Sequence, residues 1–212
     1  MHPLSVSLVQ GTQSLGLSLI EKQHQQLLAY LDLLAKWNKT YNLTALRDPA
    51  EMLTHHLLDS LSIIAPLQRH TEGRPIQLLD VGSGGGLPGV VIAICCPEIQ
   101  VTCVDAVAKK AAFVQQAAGV LTLPNLRGLH ARVEKVSNTF EVVASRAFAS
   151  LPDFTAWSAQ TLAEEGVWLA MKGRHPAEEI VALPASVDVF HVEQLRVPGL
   201  DAERCLVWMR KV

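Results

Sequence analysis

The run Asp80-Val81-Gly82-Ser83-Gly84-Gly85-Gly86-Leu87-Pro88-Gly89 is where residue types and spacing in this chain suggest chemistry. A short apolar stretch, Leu78-Leu79, ends in an acid, and a glycine cluster follows at once. Pro88 suits a first helical position, where its missing N–H costs nothing. The order is therefore strand, tight turn, helix. Glycines allow positive φ and let a ligand approach the main chain closely. Free N–H groups at a helix start favour a polar or anionic group. The loop reads as a cradle for a nucleotide-type cofactor.

Two spacings coexist in it. Gly84, Gly86 and Gly89 fit the G-x-G-x-x-G pattern of dinucleotide sites, and Gly82, Gly84 and Gly86 fit the tighter pattern of S-adenosylmethionine sites. Each alone is weak. Asp80 favours the second. A carboxylate there suits a cofactor with a cationic amino-acid end and would repel a pyrophosphate. Asp105 closes the next strand-like run, about twenty residues on, where a carboxylate can accept from both ribose hydroxyls of either cofactor.

These groups need a scaffold, and the chain supplies one. At 212 residues, 49% hydrophobic and 18% charged, it reads as an ordered α/β globule with an N-terminal addition. From Ile76 on, strands expected at 76–81, 99–105, 126–130, 141–145 and 166–171 alternate with helices expected at 88–95, 107–119 and 152–163. That alternation implies parallel βαβ units. The β-rich runs 187–197 and 203–210, joined by Pro198-Gly199-Leu200-Asp201, suit a hairpin that places one antiparallel strand at the sheet edge. Residues 1–70 read as a helical appendage and 71–212 as a Rossmann-like domain. In the appendage, Ser18 to Glu21 resembles a capping box. Leu27, Leu28, Leu31 and Leu34 recur at helical spacing up to Trp37, with a polar turn expected over 38–44. Asp48-Pro49 starts a second helix with its apolar stripe running to Leu67.

The four cysteines lack C-x-x-C spacing and read as buried thiols of a cytoplasmic protein, with no metal site. No apolar run approaches a membrane span, and the first residues lack a secretory pattern. The net charge of −2 gives no overall basic footprint. Any RNA contact must then come from a local patch or involve a preassembled particle.

With these residues in place, the chain resembles the bacterial small-subunit ribosomal RNA guanine-N7 methyltransferases, the glucose-inhibited-division B family. The likeness runs through Trp37-Asn38 with Tyr41-Asn42-Leu43-Thr44, His56-x-x-Asp59-Ser60, the glycine loop with Leu87-Pro88-Gly89, Ser145-Arg146-Ala147-Phe148-Ala149, and Lys172-Gly173. One departure is His55, where the family often has arginine. The resemblance implies a class I S-adenosylmethionine-dependent methyltransferase fold acting on one guanine of 16S rRNA near the decoding region, within the 30S subunit. It implies that Gly82 and Leu87 line the methionine and adenosine sides of the cofactor. Val133 and Glu134 would meet the adenine, and Arg146 would face the cofactor or the incoming base.

Guanine N7 carries a free lone pair, so attack on the methyl group needs no general base. Alignment of the reactants is then the main task, and it can supply several kcal/mol of the barrier. The block from Ser145 to Phe148 stands where exocyclic-amine methyltransferases place an acid or asparagine, and the leading acid is absent here. Phe148 is expected to stack on the guanine, with a core aromatic as the competing reading. Arg146 is expected to donate to the guanine O6 or a phosphate, with an ion pair as its alternative. His55 and Asp59 share a helix face, which suits polar contacts better than a two-ligand metal site. Lys36, Lys39, Arg47, His55 and His56, with Lys109, Lys110, Lys172, Arg174 and His175, could form a cationic rim. Two other functions remain open on residues alone. One is an NAD-dependent oxidoreductase using Gly84, Gly86, Gly89 and Asp105, although no Tyr-x-x-x-Lys set appears. The other is a non-enzymatic RNA- or ribosome-binding module.

Overall fold

The computed structural model describes residues 2–212. Seven strands form one sheet: β1 (Gln77–Val81), β2 (Gln100–Asp105), β3 (Leu126–His130), β4 (Phe140–Arg146), β5 (Leu162–Lys172), β6 (Val187–Leu195) and β7 (Arg204–Lys211). Their order is β3-β2-β1-β4-β5-β7-β6. The pairs β1–β2, β1–β4, β2–β3 and β4–β5 are parallel. Strand β7 runs antiparallel to both neighbours, β5 and β6. This is the mostly parallel sheet with a terminal hairpin that the β-rich tail foretold, except that the antiparallel strand β7 lies inside and β6 takes the edge.

Adjacent residues of the central strands face opposite sides, as the two-residue period requires. Leu78, Val142 and Leu169 join one core cluster, whereas Leu79, Val143 and Trp168 join the other. Both faces are thus buried, which explains why these strands read as unbroken apolar runs. The second face is covered largely by α8 (Leu151–Ser158). The first is covered by α6 (Gly89–Cys95), α7 (Ala108–Val120) and the N-terminal helices.

Those N-terminal helices are α1 (Ser5–Ser14), α2 (Glu21–Tyr41), α3 (Pro49–Met52), α4 (Asp59–Leu61) and α5 (Ile64–Thr71). Leu27, Leu31, Leu34, Leu57 and Leu61 are buried in the same cluster as Leu78, Val90 and Phe113. A continuous core therefore crosses the boundary expected at residue 70. Helix α2 also fixes the glycine loop directly. The fully buried Tyr30 hydroxyl donates to the Gly85 carbonyl at 2.5 Å, and Gln23 Nε2 donates to the Ile94 carbonyl at 3.0 Å.

Several local expectations need correcting. Helix α2 starts at Glu21 with Ile20 as its cap, and the Gln23 side chain accepts from the Ile20 N–H at 3.0 Å. Ser18 plays no part in that cap. The helix runs to Tyr41 and ends on left-handed Asn42, so the polar stretch from Asn38 is helical at first. Asn38 is buried and binds the Leu46 carbonyl and the Thr44 N–H, which pulls the following loop back onto the helix. The helix expected from Asp48 does start there, with Asp48 Oδ1 accepting from Ala50 and Glu51. It is interrupted by a π-helical segment at Leu53–Leu58. Helix α6 begins at Gly89 with Pro88 as its cap, one residue later than expected. Helices α1 and α9 (Ala177–Val181) had no sequence signal strong enough to place them.

Tyr30→Phe leaves the Gly85 carbonyl without its partner in a dry site. It should lower stability by about 1–3 kcal/mol, seen as a shifted urea midpoint at unchanged slope.

Candidate active site

The strand order reverses between β1 and β4, and ligands of such sheets bind outside the carboxyl ends of the strands at that point. Two adjoining chambers lie there. One has a volume of about 450 Å³ and is walled by the glycine loop, the π-helical segment, Arg146, Lys172 and Arg204. The other is about 470 Å³ and is walled by Asp105, Lys110, Val133, Glu134, Phe148 and Trp157. Gly82 and Ala147 line both.

Gly82 has φ +66°, and a Cβ there would lie 2.1 Å from the Phe148 ring. Only glycine lets the ring and the loop meet at this wall. Gly84 and Gly86 also have positive φ. Gly84 opens onto the first chamber, whereas Gly86 packs inward against Val90. Leu87 lines the first chamber. Asp105, 6% exposed, stands at the end of β2 and lines the second. Its Oδ2 accepts from the Gly84 N–H at 3.0 Å and its Oδ1 from the Val107 N–H at 2.8 Å, with Lys110 at 3.9 Å. Each oxygen keeps a lone pair for a further donor. Val133 and Glu134 lie on a short 3₁₀ turn and line the same chamber, Val133 buried and Glu134 exposed.

Asp80 departs from its expected role. It is fully buried and lines neither chamber. Its Oδ2 accepts from the Gly89 N–H at 2.9 Å and lies 3.8 Å from the Cys103 sulfur, while Oδ1 has no partner. Asp80 therefore ties β1 to the start of α6 beneath the loop, and does not face a cationic ligand end. Burial raises its carboxyl to about 7, against the pull of the Gly89 N–H and Arg146.

Arg146 also departs. Its NH1 donates to Asp59 Oδ2 at 2.8 Å and to the His55 carbonyl at 3.0 Å. The other Asp59 oxygen accepts from Arg204 Nε at 2.8 Å. Asp59 is only 4% exposed, so the ion pair set aside as Arg146's alternative is present, and it is buried. The π-helical segment helps to make it. Widening the helix frees carbonyls from the usual i→i−4 ladder, and such segments recur at functional sites. One guanidinium edge thus meets a backbone carbonyl and a carboxylate together, and the rest faces the first chamber.

Phe148 stands in the second chamber, edge-on to Phe154 and Trp157 at 6.5 and 5.9 Å. It does not share the first chamber with Arg146. The cause is Ala147, held at φ +50°, which directs the side chains on either side into different chambers. The half-buried ring therefore packs beside the cofactor loop, and no free face for a guanine in the first chamber follows from its position.

Sequence reasoning missed Arg204 and the pairing of Thr44 with His56. Arg204 sits at the first position of β7, and a strand-end arginine gives no signal of a partner 145 residues away. Thr44 lies 2.7 Å from His56 Nε2. His56 itself is lowered to about 4, chiefly by burial and then by Arg146, and its Nδ1 is unpartnered. Lys172 donates to Glu179 and to the Ala149 carbonyl, so much of its charge is spent within the fold. Among the described residues, no group of three or more His, Cys, Asp or Glu side chains could hold a metal.

Comparison with known proteins now identifies the family. The model of the GidB family, described as rRNA small subunit methyltransferase G, matches residues 23–207. The chain belongs to that family. Its relative named ribosomal RNA small subunit methyltransferase G in Acidovorax sp. (strain JS42) is 66% identical over 97% of this chain and 95% of that one. The protein of the same name in Polaromonas naphthalenivorans (strain CJ2) is 63% identical over 95% and 93%. Among solved structures, magnesium protoporphyrin IX methyltransferase from Synechocystis PCC 6803 superposes with a TM-score of 0.62 at 12% identity, covering 86% of this chain and 97% of that one. TrmN from Thermus thermophilus gives 0.58 at 18%, covering 76% and 53%. These likenesses show the class I methyltransferase fold.

The two shifted groups oppose each other in pH. A buried carboxyl raised from 3.8 to about 7 favours the folded state at low pH and loses that contribution as pH rises through 7. An imidazole lowered from 6.5 to about 4 contributes above 6.5 and loses it as pH falls towards 4. Asp80→Asn should therefore unmask a stability that climbs with pH between 4 and 6.5. His56→Asn should unmask one that declines from pH 4 to 7. Each slope should be at most about 1.4 kcal/mol per pH unit, read from denaturation midpoints across that range. Separately, Asp59→Ala strands two arginines at the chamber wall and should cost about 3 kcal/mol or more, by the same measurement.

Proposed function

We propose that this protein transfers the methyl group of S-adenosylmethionine to N7 of one guanine in 16S rRNA, near the decoding region, on the assembled small subunit. The observation that carries the reading is the paired chambers sharing Gly82 and Ala147, one with a ribose-type acid and the other with free guanidinium edges. The residues fit the cofactor. A Cβ at Gly82 would collide with the Phe148 ring where the two chambers adjoin, and the buried Ser83 hydroxyl beside it lacks a partner. Asp105 would hold the ribose hydroxyls, Val133 and Glu134 would meet the adenine, and Gly82, Gly84 and Leu87 would line the amino-acid portion. When bound, S-adenosylmethionine presents a methyl group on a sulfonium, which an aligned lone pair displaces.

The chain's own residues then have to bind and orient. No proton must leave guanine before N7 attacks, so the chamber needs no general base. His56 stays neutral near pH 7 because burial holds it at about 4, and its Nε2 is engaged with Thr44. Arg146 and Arg204, braced by Asp59, present their remaining N–H groups to the acceptors of the target nucleotide. They do so with their positions already fixed, which saves ordering cost at the moment of alignment. The target base must be unpaired or flipped to enter. A net charge of −2 disfavours tight sequence-blind binding of bare RNA and supports an assembled particle as substrate. No helix of the described residues is long and apolar enough to cross a membrane.

The test is methyl transfer from labelled cofactor to 30S particles and to bare 16S rRNA, both from cells lacking the enzyme. Label in one guanine at N7, with the particle preferred, is the expected result. Label on another atom or no label in either substrate would overturn the reading. Asp105→Ala should weaken cofactor binding by about 1.5–3 kcal/mol, measured by calorimetry with S-adenosylhomocysteine.

A further inference from the structure

A ladder of aromatic rings runs outward from the glycine loop. Tyr30, bonded to the Gly85 carbonyl, lies 6.3 Å from Phe113 between ring centroids. Phe113 lies 5.4 Å from Trp37, and Trp37 lies 4.9 Å from Tyr41. The first two rings are fully buried. The last is 42% exposed. Tyr41 ends α2, and the left-handed Asn42 then turns the chain so that Leu43 and Thr44 line the first chamber. The exposed ring therefore stands two residues before the chamber wall begins at Leu43.

Cations gather around it. Lys109 Nζ sits 5.5 Å from the Tyr41 centroid. Lys110, the next residue, reaches Asp105 and lines the second chamber. Arg47 NH2 donates to the Asn42 side chain at 3.4 Å. Among the described residues, neither Lys109 nor Arg47 has a carboxylate within salt-bridge distance. An aromatic plane backed by rigid rings, with Lys109 over it and Arg47 held on the next residue, is the arrangement that binds single-stranded nucleic acid, one base stacked and its phosphates neutralised. An acidic or apolar partner would use the charges or the ring, but not both in this geometry.

We propose that Tyr41, with Lys109 and Arg47, is a stacking platform for a nucleotide flanking the target guanine in a single-stranded stretch of RNA. This rests on the proposed rRNA substrate and adds the contact outside the reaction chamber. Lys109, now over the ring, would pass to the phosphate as the base takes its place. The ring backing is already fixed, so little side-chain freedom is lost on binding.

Full-length Tyr41→Ala, Tyr41→Phe and Lys109→Gln proteins would be compared with the parent in two assays. One is methyl transfer to 30S particles, and the other is anisotropy with a labelled short oligouridylate. Tyr41→Ala should raise KM for 30S and the oligouridylate Kd roughly tenfold. Affinity for S-adenosylhomocysteine and the melting temperature should not move. Tyr41→Phe should restore parental binding, since stacking needs the ring and not the hydroxyl. Lys109→Gln should reduce the slope of log Kd against log salt by about 0.7. Unchanged oligouridylate binding in Tyr41→Ala overturns the platform, and so does the absence of measurable binding by the parent protein. A KM effect on 30S without an oligouridylate effect would mean a ribosomal-protein contact and also overturns it. A parallel fall in cofactor affinity and melting temperature would reduce Tyr41 to a packing residue. Failure of the parent enzyme to methylate 30S counts against the proposed function, while the oligouridylate assay still decides the platform.

Discussion

A parallel sheet has no wet face, and this constraint shapes the whole molecule. Crossover helices cover one side of β1, β4 and β5 only in part. The first seventy residues complete it, through leucines that share a cluster with Leu78, Val142 and Leu169. Because that cover must lie against the sheet, its loops reach the carboxyl ends of the strands. Thr44, His55, His56 and Asp59 arrive at the reaction chamber as a consequence of burying leucines. Stability and site formation are the same packing event here, and a fault in the helical layer would disturb both.

The buried carboxylate of Asp59 shows how the parts are joined. Its two oxygens hold Arg146 from the end of β4 and Arg204 from the start of β7. Three segments distant in sequence meet on one anion. A buried ion pair is expensive to desolvate and is weak evidence for stability by itself. Its value lies in geometry: two guanidinium groups point into the chamber from fixed bases. Asp80 serves a comparable end beneath the glycine loop, where a Cβ on Gly89 would collide with both Asp80 and Cys103.

Much of this was legible in the residues. The five parallel strands and the final hairpin followed from apolar runs, turn residues and spacing. The placement of Asp105 and the glycine loop at the carboxyl ends of β1 and β2 was legible too, because strand–turn–helix order constrains where such residues fall. The rest depended on contacts between remote positions. Nothing local distinguishes Asp80 facing a ligand from Asp80 facing the N–H of Gly89. Arg146 was recognised as a residue of the chamber, but its partner lies 87 residues earlier. Phe148 was placed with the wrong neighbour because a left-handed alanine at 147 leaves no mark in composition. The π-helical segment was hidden for a related reason: an apolar stripe tolerates one extra residue per turn without losing its pattern.

The strand order has a temporal side. Strand β7 occupies an interior place between β5 and β6, yet it leaves the ribosome after both. Until residues 204–211 emerge, β6 has no edge on which to dock, and Asp59 has only one of its two arginines. Until then the first chamber lacks the part of its wall that Arg204 supplies. A product cut short before residue 204 would therefore carry the glycine loop and Arg146 without Arg204, the second guanidinium on Asp59.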